Sequence, residues 1–363
     1  MTNNNQLTPK IGIYFNMTAD DYFSIPYFSR SLAEKVRFSG KEAEYAINNL
    51  TSETPAMALG TAIHSMFLEP SDFARKYVKA PSILDKEYFD KKILQTVDDL
   101  KPYLETFGLK KTGKKEDLVA SLKPYLDPNK IIIWDEIKDN FEIENAQKNR
   151  KVLSDEDFRN IENIRNEFNK YQYLPKTIEN GRSEVVVIWQ DKETGVMCKC
   201  RLDYVQPLAI TDLKTFSIKD YQTPLLDQLR KKTIWSYYNL QYVIYYEALQ
   251  NIINEILAGN AEIYGEDDQE WISEFLSNPI KDYFILYVRT QAPYQMLALE
   301  LRPSEVENAG ANSYYSVAND IWRTSIKKYA NFLKTGKWLG ENEINVLQDQ
   351  HTPNIMWQMS TED

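Results

Sequence analysis

Asp212 and Lys214 stand two positions apart in the stretch "LAITDLKTF" (residues 208–216). Side chains alternate along a strand, so both project from one face, with Leu208 and Ile210 further back on it. Two opposite charges thus sit at the C-terminal end of an apolar strand, where a sheet commonly opens on a cleft. The preceding stretch, "VMCKCRLDYV" (196–205), puts Lys199, Arg201 and Asp203 on one face and Cys198, Cys200 and Leu202 on the other. The short "YVQPLA" connection brings Asp203 towards Asp212, and one strand earlier Glu184 opens "SEVVVIW". Three carboxylates and a lysine can therefore converge at one edge of a small sheet. Oxygen ligands of this kind suit magnesium (Mg2+) or manganese (Mn2+). Such an ion polarises a phosphate and lowers the pKa of a bound water. A lysine beside it can orient or deprotonate that water and stabilise developing charge. A solvated salt bridge at a strand end would show the same D-x-K pattern; Asp203 and Glu184 shift the balance towards chemistry.

The elements that must hold these residues follow from periodicity. Residues 183–215 alternate with period two and contain the turn "KETG", which predicts three antiparallel strands. "TIWSYYNLQYVIYYEALQNIINEIL" (233–257) predicts one long helix, on which Gln241, Tyr245 and Tyr237 share a face at four-residue spacing. "KDYFILYVRT" and "YQMLALELR" predict a second strand pair across a "QAP" turn, and "SEVENAGANSYYSVANDIWRTSIKKYANFLKTG" a closing helix. Upstream, Ser29 or Ser31 can cap a short helix, Leu59, Ile63, Met66 and Phe67 share a helical face, and Pro70 stops that helix after Glu69. Ser154 can cap "DEDFRNIENIRNEFNKY".

Composition bounds the function class. The 363 residues carry 43 basic and 53 acidic side chains, a net charge of −10, which argues against a protein that merely coats nucleic acid. A local basic channel is compatible with that total, because distribution matters more than the sum. The 2 cysteines, Cys198 and Cys200, are too close for an unstrained disulfide and too few for an iron–sulfur cluster, and are expected to be reduced core residues. The first residues, "MTNNNQLTPK", lack a signal-peptide pattern, and no apolar run is long enough to span a bilayer. The expectation is a soluble protein of the cytoplasm, with no membrane partner.

Glu184, "RLD" ending at Asp203 and "ITDLKT" together resemble the PD-(D/E)xK nuclease signature in its D-x-K form. The wider chain resembles the RecE-type phage and prophage exonucleases (exodeoxyribonuclease VIII). "DDYFSIPYFSRSLAEKV", "ALGTAIHSMFLEPSDF", "WSYYNLQYVIYY" and "GKWLGENEINVLQDQ" each resemble a motif of that family, in the same order. The resemblance covers nearly everything outside residues 85–130. It implies an α/β (α+β) fold, a mixed central sheet flanked by helices, here with a small helical insert. Asp203 and Asp212 would ligate the metal with Glu184 assisting, and Lys214 would be the catalytic lysine. His64 matches a histidine that reaches the same metal in this branch, although a lone imidazole on an apolar helix is more often a satisfied core group. Gln241 and Tyr245 would line the active site and contact the DNA, and Tyr237 could stack on bases. Glu69 is a weaker candidate for a supporting role, and His351 is read as tail structure.

Residues 101–123 hold six lysines against three acids. "VDDLKPYLETFGLKKTGKKEDLVASL" resembles a SAP-type DNA-binding motif, with Leu100, Leu104, Leu109, Leu118 and Leu122 as a minimal core. Lys110, Lys111, Lys114 and Lys115 would then face phosphates; a solvated lysine-rich hairpin is the alternative. The expected organisation is an N-terminal helical part (1–84) carrying His64, the insert (85–130), and the nuclease core with its tail (131–363). The resemblance implies a metal-dependent exonuclease that degrades linear double-stranded DNA from 5′ ends inside a bacterial host cell. The 3′ strands left behind would serve phage-type recombination, with a single-strand annealing protein as partner and a ring-shaped homo-oligomer as the working form. Two other readings stay open: an endonuclease or nickase on the same fold, and a non-enzymatic DNA-binding scaffold.

Overall fold

The computed structural model describes residues 8–49, 55–301 and 314–339. The chain divides into two compact units, Met1–Met57 with Glu167–Asp363, and the intervening Ala58–Asn166. The expected insert, 85–130, lies within the second unit.

The first unit is built on a seven-stranded sheet in the order Met296–Leu301, Asp282–Arg289, Ala209–Phe216, Met197–Val205, Arg182–Gln190, Gly12–Tyr14, Glu262–Tyr264. Its centre is the predicted antiparallel trio, joined by the tight turn after Gln190. The strand pair after residue 281 is also present. The sequence did not foretell its partner: Asp282–Arg289 runs parallel to Ala209–Phe216. A parallel neighbour needs a long crossover, here the helical segment between Phe216 and Asp282. Gly12–Tyr14 pairs antiparallel with Arg182–Gln190 and parallel with Glu262–Tyr264, so the sheet is mixed.

The central strands are buried on both faces. Val185, Val186, Val187, Ile188, Leu202 and Ile210 are each 0% exposed. On one face lies the helix Tyr238–Leu257, whose residues 239–245 are all buried. The helices Tyr314–Thr335 and Arg30–Phe38 pack in turn around it. Trp322, Phe28 and Tyr329 stack between these elements, with ring centroids 5.1 and 4.7 Å apart for the Phe28 pairs. Cys198 and Cys200 are buried free thiols.

The predicted long helix over 233–257 is corrected: two helices, Leu225–Trp235 and Tyr238–Leu257, meet at an elbow. Tyr237 takes a left-handed backbone, φ 51°, which ends the first helix. The Arg30 guanidinium donates to the Ser236 carbonyl at 2.8 Å, satisfying one of the oxygens that a helix end exposes.

The helix Pro55–Leu68, which lies in the second unit from Ala58 on, is followed by Pro70–Lys76, with Pro70 at the first helical position. Thr96 and Asp99 form a capping box at the start of Val97–Thr106, and Lys115–Leu122 follows. Leu94, Leu100, Leu104, Leu118 and Leu122 form a small buried cluster with Leu109 packed against it. Two short parallel pairs, Tyr77–Lys79 with Lys151–Leu153 and Lys92–Leu94 with Ile131–Ile133, complete the unit. The Ser154 hydroxyl accepts from the Asp157 N–H at 3.0 Å, as its capping position requires. No helix among the described residues is long and apolar enough to cross a membrane. Residues 304–313 of the expected closing helix, and the tail motif from residue 340 onward with His351, lie outside the described residues.

Candidate active site

The site starts where two strands part. Met197–Val205 and Ala209–Phe216 pair only at Tyr204–Thr211 and Val205–Ile210, next to their connection. From Asp203 and Asp212 onward the ladder is open, and side chains take over its bonds. Asp203 Oδ2 accepts from the Leu213 N–H at 2.8 Å, and the Tyr245 hydroxyl donates to the Arg201 carbonyl at 2.6 Å. Backbone groups freed by the separation are thus paired, as buried ones must be.

Asp212 lies in this gap with 0% exposure. Its Oδ1 accepts from Gln241 Nε2 at 2.5 Å, and the same amide nitrogen donates to the Tyr245 hydroxyl at 2.6 Å. One turn of the helix Tyr238–Leu257 therefore fixes the carboxylate from above. Asp212 Oδ2 faces the Lys214 ammonium at 2.7 Å. No donor is aligned on Oδ2 in hydrogen-bonding geometry, and the buried Gln241 Oε1 has none among the described residues.

Glu184 stands across from Asp203. The ladder pairs Ser183 with Tyr204 and Val185 with Leu202 and skips the position between. Glu184 there adopts φ 55°, a left-handed conformation that costs a non-glycine residue about 1–2 kcal/mol. Strain of this kind persists where the surroundings over-determine it, often at functional sites. Oxygens of Glu184 and Asp203 lie within 4.8 Å of each other, and Arg201 Nε is 2.9 Å from Glu184 Oε2.

The electrostatics follow from burial and charge. Desolvation pushes the Asp212 carboxyl up to about 7; Lys214 opposes this and the Asp203 charge adds to it. Burial works to lower the Lys214 pKa, but Asp212 and Asp203 outweigh it and hold the ammonium above its ordinary value. Lys214 therefore carries its positive charge in this arrangement. Burial raises the Tyr245 phenol well above its usual range, reinforced by Asp212 and Asp203, so it stays a neutral donor.

Two neighbours carried no role in the sequence reading. Tyr238 places its ring 5.1 Å from Lys214 Nζ and 6.0 Å from the Arg30 guanidinium. Arg30, paired with Glu34 at 2.7 Å, adds a positive charge that favours ionised Asp212. Arg30 sits inside "FSRS" and Tyr238 inside a "YY" pair, and neither spacing announces a distant aspartate.

The structure therefore gathers Glu184, Asp203, Asp212, Lys214, Gln241 and Tyr245 within the first unit. Tyr237 is not on the Gln241 face of a continuous helix; it forms the elbow, with Arg37 over its ring at 4.7 Å. His64 lies partly buried on Pro55–Leu68, in the second unit. Lys110, Lys111 and Lys114 are exposed on the connection between the two insert helices. Lys111 pairs with Glu105 at 3.0 Å, and Lys115 is committed to Asp135 and the Gln95 carbonyl.

Residues 31–260 match the family model described as "PDDEXK-like domain of unknown function (DUF3799)", more than half of the chain. The crystal structure of a "Putative exonuclease" from Eubacterium rectale is similar, with a TM-score of 0.46 and 13% identity, covering 96% of this chain and 99% of that one. No curated protein matches the sequence.

Proposed function

The chain belongs to the PDDEXK-like domain family, and from that premise we propose that it is a magnesium-dependent deoxyribonuclease acting on the ends of linear double-stranded DNA. The observation that carries the reading is the buried Asp212–Lys214 pair in the gap between two parting strands, beside Asp203 and Glu184. The donor set fits a hard divalent cation, since Asp212 Oδ2 is a buried carboxylate oxygen with no aligned donor and its neighbours are carboxylates. Held by Asp203 and Asp212 with Glu184 assisting, such an ion would supply Lewis-acid charge to the phosphate and a more acidic water. His64 is proposed as a further ligand on the strength of its motif alone.

The chain's own groups do the rest. Gln241 and Tyr245 lock the Asp212 carboxylate in one orientation. Lys214, kept charged by its acidic neighbours, donates to the non-bridging phosphate oxygen as negative charge grows on it. Water adds to phosphorus and gives up a proton to solvent, the bond to the leaving sugar oxygen breaks, and that oxygen takes up a proton from solvent.

End-labelled linear duplex and covalently closed circles, each with magnesium and with chelator, test this. Linear DNA should be shortened from the 5′ end, circles should survive, and chelator should stop the reaction. Cutting of closed circles replaces the proposal with an endonuclease; no cutting of either DNA with magnesium replaces it with a DNA-binding scaffold. Trimming from 5′ ends would leave 3′ strands for an annealing protein in phage-type recombination. A ring-shaped homo-oligomer with a basic lumen would reconcile DNA binding with a net charge of −10.

Lys110 and Lys114 are proposed phosphate contacts of the SAP-like segment. Replacing both with alanine should lower the log–log salt slope of duplex binding by about 1–2. An unchanged slope removes the segment from the DNA interface.

A further inference from the structure

The elbow between Leu225–Trp235 and Tyr238–Leu257 displays an aromatic surface that the hydrolytic site does not use. Trp235 is 81% exposed at the end of its helix, although tryptophan is on average a highly buried residue. Phe38, at the end of Arg30–Phe38, is 57% exposed. The Arg37 guanidinium joins the two elements, 4.7 Å from the Tyr237 ring and 5.7 Å from the Phe38 ring. Lys35 and Arg37 on Arg30–Phe38, and Arg230 and Lys231 on Leu225–Trp235, are exposed on the helices that carry these rings, and Arg230 has Asp227 at 3.7 Å. One residue inward, Tyr238 leads to Lys214. Arg37 thus bridges the Phe38 and Tyr237 rings, and the next residue, Tyr238, reaches the lysine of the Asp212–Lys214 site.

Exposed rings gathered with cations at one elbow, rather than scattered singly, offer a binding surface. The chemistry chooses the occupant. The core of a protein–protein contact is depleted of charge, whereas here Arg37 lies beside the Tyr237 and Phe38 rings and Arg30 and Lys214 beside Tyr238. A polyanion whose units each carry a flat π-face matches both features: bases stack on the rings while phosphates meet the cations. We propose that Trp235, Tyr237 and Phe38 form a stacking platform for unpaired nucleotides, with Arg37 and Lys231 on their phosphates. The platform holds a single-stranded stretch next to the bond that Lys214 serves. This rests on the nuclease reading and goes beyond it by assigning the contact for an unpaired strand.

The test uses the whole 363-residue chain and fluorescently labelled oligothymidylate in chelator, with affinity read by anisotropy. Trp235→Ala should weaken binding about tenfold or more, and Trp235→Phe should recover most of the loss. Arg37→Ala should weaken binding and flatten its salt dependence by about one unit of slope. The far-UV circular dichroism of the variants should match wild type, because the substituted side chains are exposed. If Trp235→Ala binds oligothymidylate as wild type does, or wild type fails to bind it while trimming linear duplex, the platform is wrong and the nuclease reading stands. If wild type neither binds the oligonucleotide nor cuts any DNA, both fall. If Trp235→Ala instead dissolves a homo-oligomer seen by light scattering and leaves oligonucleotide affinity intact, the face is a subunit contact and the platform is overturned.

Discussion

Asp212→Asn should abolish DNA hydrolysis, by about 1,000-fold or more, while the protein keeps its fold and its hydrogen bond from Gln241. The change is isosteric and removes only the charge that a divalent ion needs. Magnesium should then no longer raise the thermal midpoint, a readout independent of activity. The same carboxylate leaves a mark on metal-free stability. Its folded pKa, about 7, lies above the ordinary carboxylate value near 4, so between those pH values the folded state holds a proton that the unfolded chain has lost. Wild-type stability relative to Asp212→Asn should therefore be greatest below about pH 4 and fall progressively, by about 4 kcal/mol in all, as pH rises from there through 7. Urea titrations of both proteins at pH 4.5 and 7.5 measure it. A constant difference would mean that Asp212 is already ionised in the metal-free fold.

Lys214→Met should lower the single-turnover rate by about 100- to 1,000-fold without weakening magnesium binding. The ammonium lies 2.7 Å from Asp212 Oδ2, where it competes with a cation for that oxygen. Removing it should leave magnesium affinity equal or tighter by calorimetry, and the pair of variants then separates two roles. Asp212→Asn loses both metal and rate; Lys214→Met loses rate alone. If Lys214→Met loses magnesium affinity in step with rate, the lysine shapes the ligand set instead of stabilising charge on the phosphate. Raising the pH towards 9 should not rescue Lys214→Met, because the wild-type lysine acts as a charged donor and not as a base that hydroxide could replace.

Much of this arrangement was legible locally. Asp212 and Lys214 share a strand face because the period of extended backbone is two, and Gln241 and Tyr245 share a helix face because they are four apart. The trio of antiparallel strands could be read from alternation and one tight turn, and the leucines of the second unit from helical spacing. The break at Tyr237 could not. Nothing in "IWSYYNLQ" forbids a continuous helix; the Ser236 carbonyl left open at the stop is capped by Arg30, 206 residues away in the chain. Glu184 gave the same difficulty, because its left-handed backbone is imposed by the strand opposite and not by its own preference.

The sequence by itself determined which groups can carry charge and which lie on a common face, since those depend on residue type and on the local repeat of the backbone. The tertiary structure alone decided that the two central strands part at Asp203 and Asp212, that Gln241 reaches across to hold one oxygen, and that burial lifts the Asp212 carboxyl to about 7. Each of these depends on which distant segments exclude water from one small gap. Desolvation is a property of that gap, and no window of residues contains it.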